Sequence, residues 1–267
     1  SIIKIEFIRH IYDTQYGQQR GMTVSNLVRG AAPEPKPSTR FMPQWWKDAK
    51  GISDKDGRPM SLKYEVKGGA SVATSLSANF NLTFKRCVPF MEAMSIGYMI
   101  PLHFDLIIDQ LEDGSYEWVS RADEQLGMSS PNQIKEIPDW PDHATLGLRV
   151  NNPWAVRTEP GVSCLFIQPM NRPDLELQLF AGVVDTDKYT IPVNFPFSIK
   201  KTSGPSSRII EVGTPLAQVI PFRREDCKSK TFDLDSKTEV SMNREYGGIM
   251  SRVQNYYRNI WSKKKYR

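Results

Sequence analysis

Short apolar runs, separated at close intervals by proline and glycine, constrain the fold of this chain more than any other feature. Its 267 residues include 19 Pro and 17 Gly, which interrupt nearly every stretch that could extend into a long helix. Strands are predicted near 2–9, 98–109, 115–120, 145–150, 154–157, 162–168, 176–184, 190–199, 208–211 and 216–222. This spacing predicts an all-β fold, an antiparallel sandwich or jelly-roll-like barrel.

Three regions are predicted along the chain. Residues 1–70 carry the first strand, a Pro-rich extended arm over 31–40, a short Trp-containing helix entered at Pro43, and a polar loop from residue 51. Residues 71–232 form the main β domain. Residues 233–267 form a basic C-terminal helix, because their apolar residues fall largely on one helical face.

Two local patterns sharpen the prediction for the main domain. The run "CVPFMEAMSIG" places apolar residues at helical spacing, and Gly97 is placed to end the helix. The Glu-Asp-Gly-Ser sequence that begins at Glu112 lies between two apolar runs, which is a hairpin signal. We therefore expect 98–109 and 115–120 to pair antiparallel.

The basic excess lies entirely in the C-terminal part of the chain. Residues 223–267 contain 12 Lys and Arg against 6 Asp and Glu, whereas the whole chain has a net charge of +5. A basic tail of this kind can contact nucleic acid or an acidic partner surface. The alternative is a solvated helix end, where cations also suit the helix dipole.

The cysteines and the apolar segments indicate an intracellular site of synthesis. Cys87, Cys164 and Cys227 lie far apart with no Cys-x-x-Cys pair, so we expect buried free thiols rather than a zinc site or disulfides. No run approaches about 20 apolar residues, and the first residues lack the pattern of a secretory signal. We expect no membrane association.

A His-x-Asp pair offers one catalytic hypothesis. His103 and Asp105, with His143 further along, could supply the two imidazoles and one carboxylate that hold non-haem iron in oxygenases, and Arg149 could bind the co-substrate. The other interpretation is a hydrogen-bonded structural histidine, since His103 follows Leu102 in an apolar strand. The common nucleophile, zinc-protease and phosphate-loop motifs do not occur in the sequence.

The stretch "FAGVVDTDKYTIPVNFPFSI" followed by "GTPLAQVIPF" resembles part of the dUTPase and dCTP-deaminase family. The resemblance implies that Asp185 holds a water or sugar hydroxyl, that Tyr189 stacks under the deoxyribose, and that Gln218 receives a phosphate or base edge. The family's Gly-Ser-Ser phosphate loop and Gly-rich C-terminal arm are missing here, which predicts loss of the catalysis. Alternatively, Asp185 and Asp187 cap a turn and Gln218 pairs with a backbone group.

A second resemblance covers more of the chain. The segments "PQWWKDAKG", "KRCVPFMEAMSIGYMIPLHFDL" and "GTPLAQVIPFRRE", with the Asp-Gly-Ser-x-x-Trp hairpin, are similar to an uncharacterised group of tailed-phage proteins with bacterial relatives. The resemblance implies a viral origin, with synthesis in the host cytoplasm and a place in the virion. It implies no activity.

The function predicted from the sequence is therefore that of a phage structural or accessory protein, more an assembly component than an enzyme, with no cofactor. It would bind other virion proteins or further copies of itself, with nucleic acid contact through the basic C-terminus. Large aromatic side chains carry much interface energy, and the candidate contact residues are Trp45, Trp46, Tyr256, Tyr257 and Trp261. A deoxynucleotide-binding or hydrolysing protein is the alternative, and an iron oxygenase is a further one.

Overall fold

The structure, a computed structural model, describes residues 2–9, 32–50, 64–67, 70–73, 83–120, 126–134, 136–231, 233, 235, 238–242 and 261–267. These residues form several antiparallel sheets and few helices, which confirms the predicted all-β, sandwich-like class. The strands are β1 Ile5–Arg9, β2 Lys36–Pro37, β3 Tyr64–Lys67, β4 Ala70–Ala73, β5 Tyr98–Pro101, β6 Leu106–Gln110, β7 Tyr116–Ser120, β8 Leu126–Met128, β9 His143–Val150, β10 Trp154–Thr158, β11 Val162–Ile167, β12 Leu177–Leu179, β13 Gly182–Val184, β14 Phe195–Lys200, β15 Ser206–Ile210 and β16 Pro215–Arg223.

Helical segments are short throughout the described residues. The α-helices are Gln44–Asp48, Val88–Ser95 and Pro131–Ile134, and the 3₁₀ turns are Ser38–Phe41 and Phe84–Arg86. Residues 238–242 are also helical. Within the described part of the chain, no helix combines the length and the apolar character needed to cross a membrane.

The chain divides into two compact units that are discontinuous in sequence. The first contains residues 1–41, 96–229 and 265–267, and the second contains residues 42–95 and 230–264. The sequence predicted boundaries near residues 70 and 232 instead. Composition varies along the chain, whereas these units are defined by contacts between segments that are far apart in sequence.

Four sheets build the first unit. A five-stranded sheet has the order β13-β11-β16-β5-β2, a four-stranded sheet β12-β14-β9-β8, and a three-stranded sheet β15-β6-β7, while β1 pairs with β10. All of these pairings are antiparallel. One apolar core joins the sheets, and within it the rings of Phe166 on β11 and Phe195 on β14 lie 5.9 Å apart between centroids.

The second unit contains a hairpin and an aromatic cluster. Strands β3 and β4 pair antiparallel. The prediction of a loop over residues 51–70 is therefore wrong for β3, whose β-forming Tyr64 and Val66 lie between polar neighbours. The aromatic cluster is formed by side chains from the first two α-helices and from the 3₁₀ turn Phe84–Arg86.

Several sequence predictions are confirmed. The hairpin forms with Ile108 opposite Trp118, and the predicted helix ends at Ser95, before Gly97 at φ 70°. In the described part of the Pro-rich arm, residues 32–40, the two-residue edge strand β2 is followed by the 3₁₀ turn Ser38–Phe41, so the arm is extended only in part.

Two long predicted strands are each divided in the structure. The strand predicted over 98–109 is β5 and β6, and the one predicted over 176–184 is β12 and β13, with each half in a different sheet. The alternating pattern continues through the first break because Leu102 and Phe104 are buried although they lie between strands. The apolar pattern indicates which residues are buried, but it does not indicate which sheet each of them joins.

Two further predictions meet the structure only in part. Cys164 is a buried free thiol as predicted, but Cys87 and Cys227 are exposed, and both lie outside the strands. The C-terminal helix is present at residues 238–242, residues 243–260 lie outside the described residues, and 261–267 have no regular structure.

Candidate functional site

A constellation of polar side chains lies at the turn that follows β13 in the five-stranded sheet. It begins at Asp185, whose carbonyl oxygen accepts hydrogen bonds from the backbone N–H groups of Lys188 at 2.9 Å and Tyr189 at 2.8 Å. These two bonds fold the segment "DTDKY" into one compact turn. Asp185 and Tyr189, both predicted as nucleotide contacts, are thereby brought together.

Side chains from three segments meet at this turn. Ser163 on β11 donates its hydroxyl to Asp185 Oδ1 at 2.7 Å. Arg224, which follows β16, donates Nη1 to Ser163 Oγ at 2.9 Å and to Asp187 Oδ1 at 2.8 Å. Its Nη1 also lies 3.3 Å from Asp185 Oδ1. We call these four residues the Asp-Arg cluster.

The two carboxylates of the Asp-Arg cluster differ in environment. The Asp187 side chain is only 6% exposed, and Gly161 donates its backbone N–H to Asp187 Oδ2 at 2.9 Å. The hydrogen bond from Arg224, followed by that from Gly161, holds the pKa of Asp187 well below its usual range. The Asp185 side chain is 51% exposed. It is therefore the carboxylate that could hold a hydroxyl or ammonium group of a ligand.

Buried hydroxyl groups hold the turn in place through hydrogen bonds to its inner side. Thr186 is 1% exposed, and its hydroxyl lies 2.8 Å from the hydroxyl of Thr158 and 3.4 Å from Cys164 Sγ. Thr158 in turn donates to the carbonyl oxygen of Val162 at 2.9 Å. Burial raises the pKa of the Cys164 thiol to about 11. The thiol is therefore protonated at neutral pH, so it is not poised as a nucleophile.

Gln218 lies apart from the turn. It is fully buried, its Oε1 accepts from the backbone N–H of Met170 at 3.0 Å, and its Nε2 donates to the carbonyl oxygen of Ile96 at 2.8 Å. It is paired with Ile167, four residues along β11 from Ser163, which is roughly 13 Å of strand. Of the three residues implied by the dUTPase resemblance, only Asp185 and Tyr189 present accessible side chains.

The three predicted metal ligands do not come together as a metal centre. Among the described residues, which include all three, no group of three or more His, Cys, Asp or Glu side chains could hold a metal ion. Burial lowers the pKa of His103 to about 4, and its ring packs edge-to-face on Phe104 at 4.9 Å. Asp105 Oδ1 accepts from the backbone N–H of Val212 at 2.8 Å. His143 begins β9 opposite Lys200.

Arg149, the proposed co-substrate residue, lies on the same strand as His143. It is partly buried and stands opposite Pro196 on β14 and Gly127 on β8.

The tryptophans proposed as contact residues pack inside the second unit. Trp46 is 6% exposed, and its ring stacks on Phe90 with 5.8 Å between centroids. Lys85 lies over the Trp46 ring with Nζ 4.7 Å from the centroid. The Trp45 ring lies 6.2 Å from that of Trp46 and 6.0 Å from that of Phe84. Part of Trp45 remains accessible, whereas Trp46 is core.

The remaining aromatic candidates lie near the C-terminal end of the sequence. Trp261 is partly buried. Tyr256 and Tyr257 lie outside the described residues.

Sequence reasoning missed Ser163 and Arg224. The available signal was the antiparallel pairing of the two predicted strands 162–168 and 216–222. In the resulting register Ser163 lies opposite Phe222, and the Arg224 backbone N–H donates to the Gly161 carbonyl oxygen at 2.9 Å. The choice of register could not be made from the apolar pattern, because both strands are buried or half-buried over most of their length.

Comparison with known proteins adds no assignment, because no family model, curated protein or solved structure matches this chain. A function for the chain must therefore be argued from the geometry of its own residues.

Proposed function

We propose that this chain is a structural or accessory protein of a tailed-phage particle, and that it acts by binding another protein through the outer face of the β15-β6-β7 sheet. The observation that supports this proposal is a row of three β-branched side chains across the sheet. Ile107 on β6 is paired with Ile209 on β15 and with Val119 on β7. We call these three residues the outer row.

Two of the three outer-row residues are exposed where the alternation of the sheet predicts a solvated face, and Ile107 between them is half-buried. Ile108, the next residue on β6, points into the core and is 1% exposed, whereas Ile209 is 63% and Val119 56% exposed. Adjacent exposed apolar side chains on a sheet leave apolar area to be buried by a partner. Covering that area would stabilise a complex at about 25 cal/mol per Å² before the costs of association are subtracted.

The neighbouring row defines the chemistry of the partner. This second row lies two residues from the outer row along each strand. In it, Asp109 on β6 lies between Glu117 on β7 and Ser207 on β15. An apolar row bordered by carboxylates complements a protein surface that presents apolar residues bordered by Lys or Arg. The partner that fits this face is therefore a different protein with a basic, apolar contact surface.

The resemblance to tailed-phage proteins supports placing that partner in a virion. Proteins of a particle work by laying sheet faces and arms on their neighbours, and each contact is repeated through the symmetry of the assembly. The edge strand β2 and the outer row are features of this kind.

The test uses phage particles assembled with altered copies of this chain. Replacing Ile209 and Val119 together by Lys should remove the protein from purified particles, because the change removes apolar area and places positive charge against a basic partner. Mass spectrometry of the particles measures incorporation. Val183→Lys is the matched control, since Val183 is 62% exposed but lies on β13 of another sheet.

Two outcomes contradict the proposal. Absence of the unaltered protein from purified particles would exclude a virion role. Normal incorporation of the double variant would exclude the outer row as the contact. Equal urea midpoints of the soluble proteins show that the variant is folded.

A deoxynucleotide-binding function is the second candidate, and the shared turn of Asp185 and Tyr189 supports it. Tyr189 is 41% exposed and Asp185 is half exposed, so both could contact a sugar. Deoxynucleoside triphosphate at millimolar concentration with magnesium should raise the melting temperature. The rise should vanish in Asp185→Ala and persist in Asp226→Ala, an exposed control. No rise in the unaltered protein would end this candidate.

A further inference from the structure

A basic cleft lies at the β2 edge of the five-stranded sheet. It has a volume of about 630 Å³ and is lined by Lys36, Pro37, Thr39, Arg40, Tyr266 and Arg267. All six residues belong to the first unit. The cleft is separate from the Asp-Arg cluster, because β13 and β2 are the two opposite edges of this sheet.

Strand β5 brings the two sides of the cleft together. Tyr98 on β5 is paired with Pro37 on β2. Its hydroxyl donates to the carbonyl oxygen of Arg267 at 3.1 Å, and its ring packs edge-to-face on Tyr266 with 5.7 Å between centroids. Burial raises the pKa of the Tyr98 phenol, so the hydroxyl remains a donor at neutral pH. The C-terminal residues are therefore held beside β2.

The charged side chains that line the cleft are all cationic. Lys36, Arg40 and Arg267 are exposed and are cations at neutral pH, and none of the described residues that line the cleft is Asp or Glu. Three cations around one concave surface repel one another, and a bound anion removes that repulsion. Such an arrangement favours a ligand that carries several negative charges.

We propose that this cleft binds single-stranded nucleic acid through its phosphates. A polyphosphate backbone supplies repeated anions at a spacing that separate Lys and Arg side chains can contact together. Tyr266 supplies the second element, because an aromatic side chain among cations offers a stacking surface for an unpaired base. A base inside a duplex is already stacked and would not reach it. Such binding does not depend on the proposed assembly role.

The test measures binding of a fluorescein-labelled oligothymidine of about 20 nucleotides to the full chain by fluorescence anisotropy across a salt series. Each cation that contacts a single-stranded phosphate contributes about 0.7 to the slope of log K against log salt. The triple variant Lys36→Gln, Arg40→Gln, Arg267→Gln should therefore lower the magnitude of the slope by about 2.

A charge-matched variant provides the control. Lys4, Lys200 and Lys228 are exposed and lie outside the cleft, so replacing all three by Gln removes the same charge and should leave the slope unchanged. If this control lowers the slope as much as the cleft variant, binding is diffuse and the proposal is wrong. Failure to bind at about 50 mM salt would also overturn it.

Substitutions at Tyr266 distinguish the binding of nucleic acid from the binding of other anions. Tyr266→Leu should weaken binding at least about fivefold, and Tyr266→Phe should retain it, because the ring face provides the stacking. Displacement of the oligonucleotide by polyglutamate at equal charge concentration would identify a general anion site and contradict the proposal. Equal affinity for a duplex of the same length would also contradict it.

Discussion

Asp185 and Asp187 are separated by one residue, yet only one of them is fully engaged in holding the structure together. Arg224 and the Gly161 backbone N–H both donate hydrogen bonds to Asp187. Asp185 instead accepts a hydrogen bond from the Ser163 hydroxyl and remains half exposed. One guanidinium faces two carboxylates, so the cluster keeps a net charge of −1. The exposed Asp185 carboxylate, which can accept a hydrogen bond from a sugar hydroxyl, is what makes the turn a candidate for binding.

The low pKa of Asp187 predicts a pH-dependent contribution to stability. A carboxylate with a lower pKa in the folded than in the unfolded state stabilises the fold above its unfolded pKa of about 3.9. That contribution is lost as the pH falls toward the folded pKa. Asp187→Asn should therefore lower the urea midpoint by a constant amount between about pH 6 and 8, and by less at about pH 3.

The exposed Asp226→Asn variant controls for the change in net charge. If the difference between Asp187→Asn and the unaltered protein is the same under acidic and neutral conditions, the Asp187 carboxylate does not act through its ionisation. The stabilising role given to the ion pair with Arg224 would then be wrong.

At the residue scale, the sequence indicated which residues lie at the turn better than it indicated what each of them does there. The backbone pairing considered for Gln218 is observed. The predicted capping by Asp185 and Asp187 is not, because the Asp185 backbone carbonyl oxygen closes the turn. The two carboxylates instead bond Ser163, Arg224 and the Gly161 N–H, which lie outside the turn. The role of Arg224 could not be predicted, because it depends on a strand register that the sequence leaves open. A His-x-Asp pattern is also uninformative without the fold, since His103 is buried against Phe104.

At the scale of elements, Gly97 controls where the chain passes from the helix Val88–Ser95 into β5. Its φ is 70°, and its carbonyl oxygen accepts the Ser38 backbone N–H at 3.0 Å. A Cβ at this position would lie 2.1 Å from the carbonyl oxygen of Val219 on β16. The glycine therefore permits both the left-handed conformation and the close approach of a neighbouring strand.

Gly97→Ala should lower the free energy of unfolding by at least about 2 kcal/mol, because it combines an unfavourable φ with a backbone clash. Urea denaturation measures the change. Gly114→Ala is the matched control, since Gly114 has φ 82° but nothing within 4 Å of the added Cβ. It should cost only about 1 kcal/mol. Equal losses in the two variants would show that the approach to β16 is unimportant.

The elements that the sequence predicted best are those with a local cause. The hairpin of β6 and β7 depends on the turn at Gly114, and the helix Val88–Ser95 depends on its own apolar spacing. The breaks between β5 and β6 and between β12 and β13 have no local cause. They are set by which sheet each half joins.

At the scale of the whole molecule, the sequence predicted the all-β class but not the division into units. The first unit is assembled from three separate stretches, and its core includes Ile100, Val156 and Phe197 from different sheets. Turn residues and apolar spacing predict the fold class because their effects depend on residues that are close in sequence. Partner choice among strands depends on contacts over long sequence separations, which the apolar pattern of one sequence does not specify.

The pairing of β1 with β10 has a consequence for synthesis on the ribosome. Glu6 and Arg157, which form an ion pair across these two strands, are 151 residues apart in sequence. At about 5 to 20 residues per second, the first strand emerges roughly 8 to 30 s before its partner is made. Throughout that interval its backbone donors and acceptors are open to any other extended chain. Newly made copies on one messenger can therefore mispair through β1 during that interval.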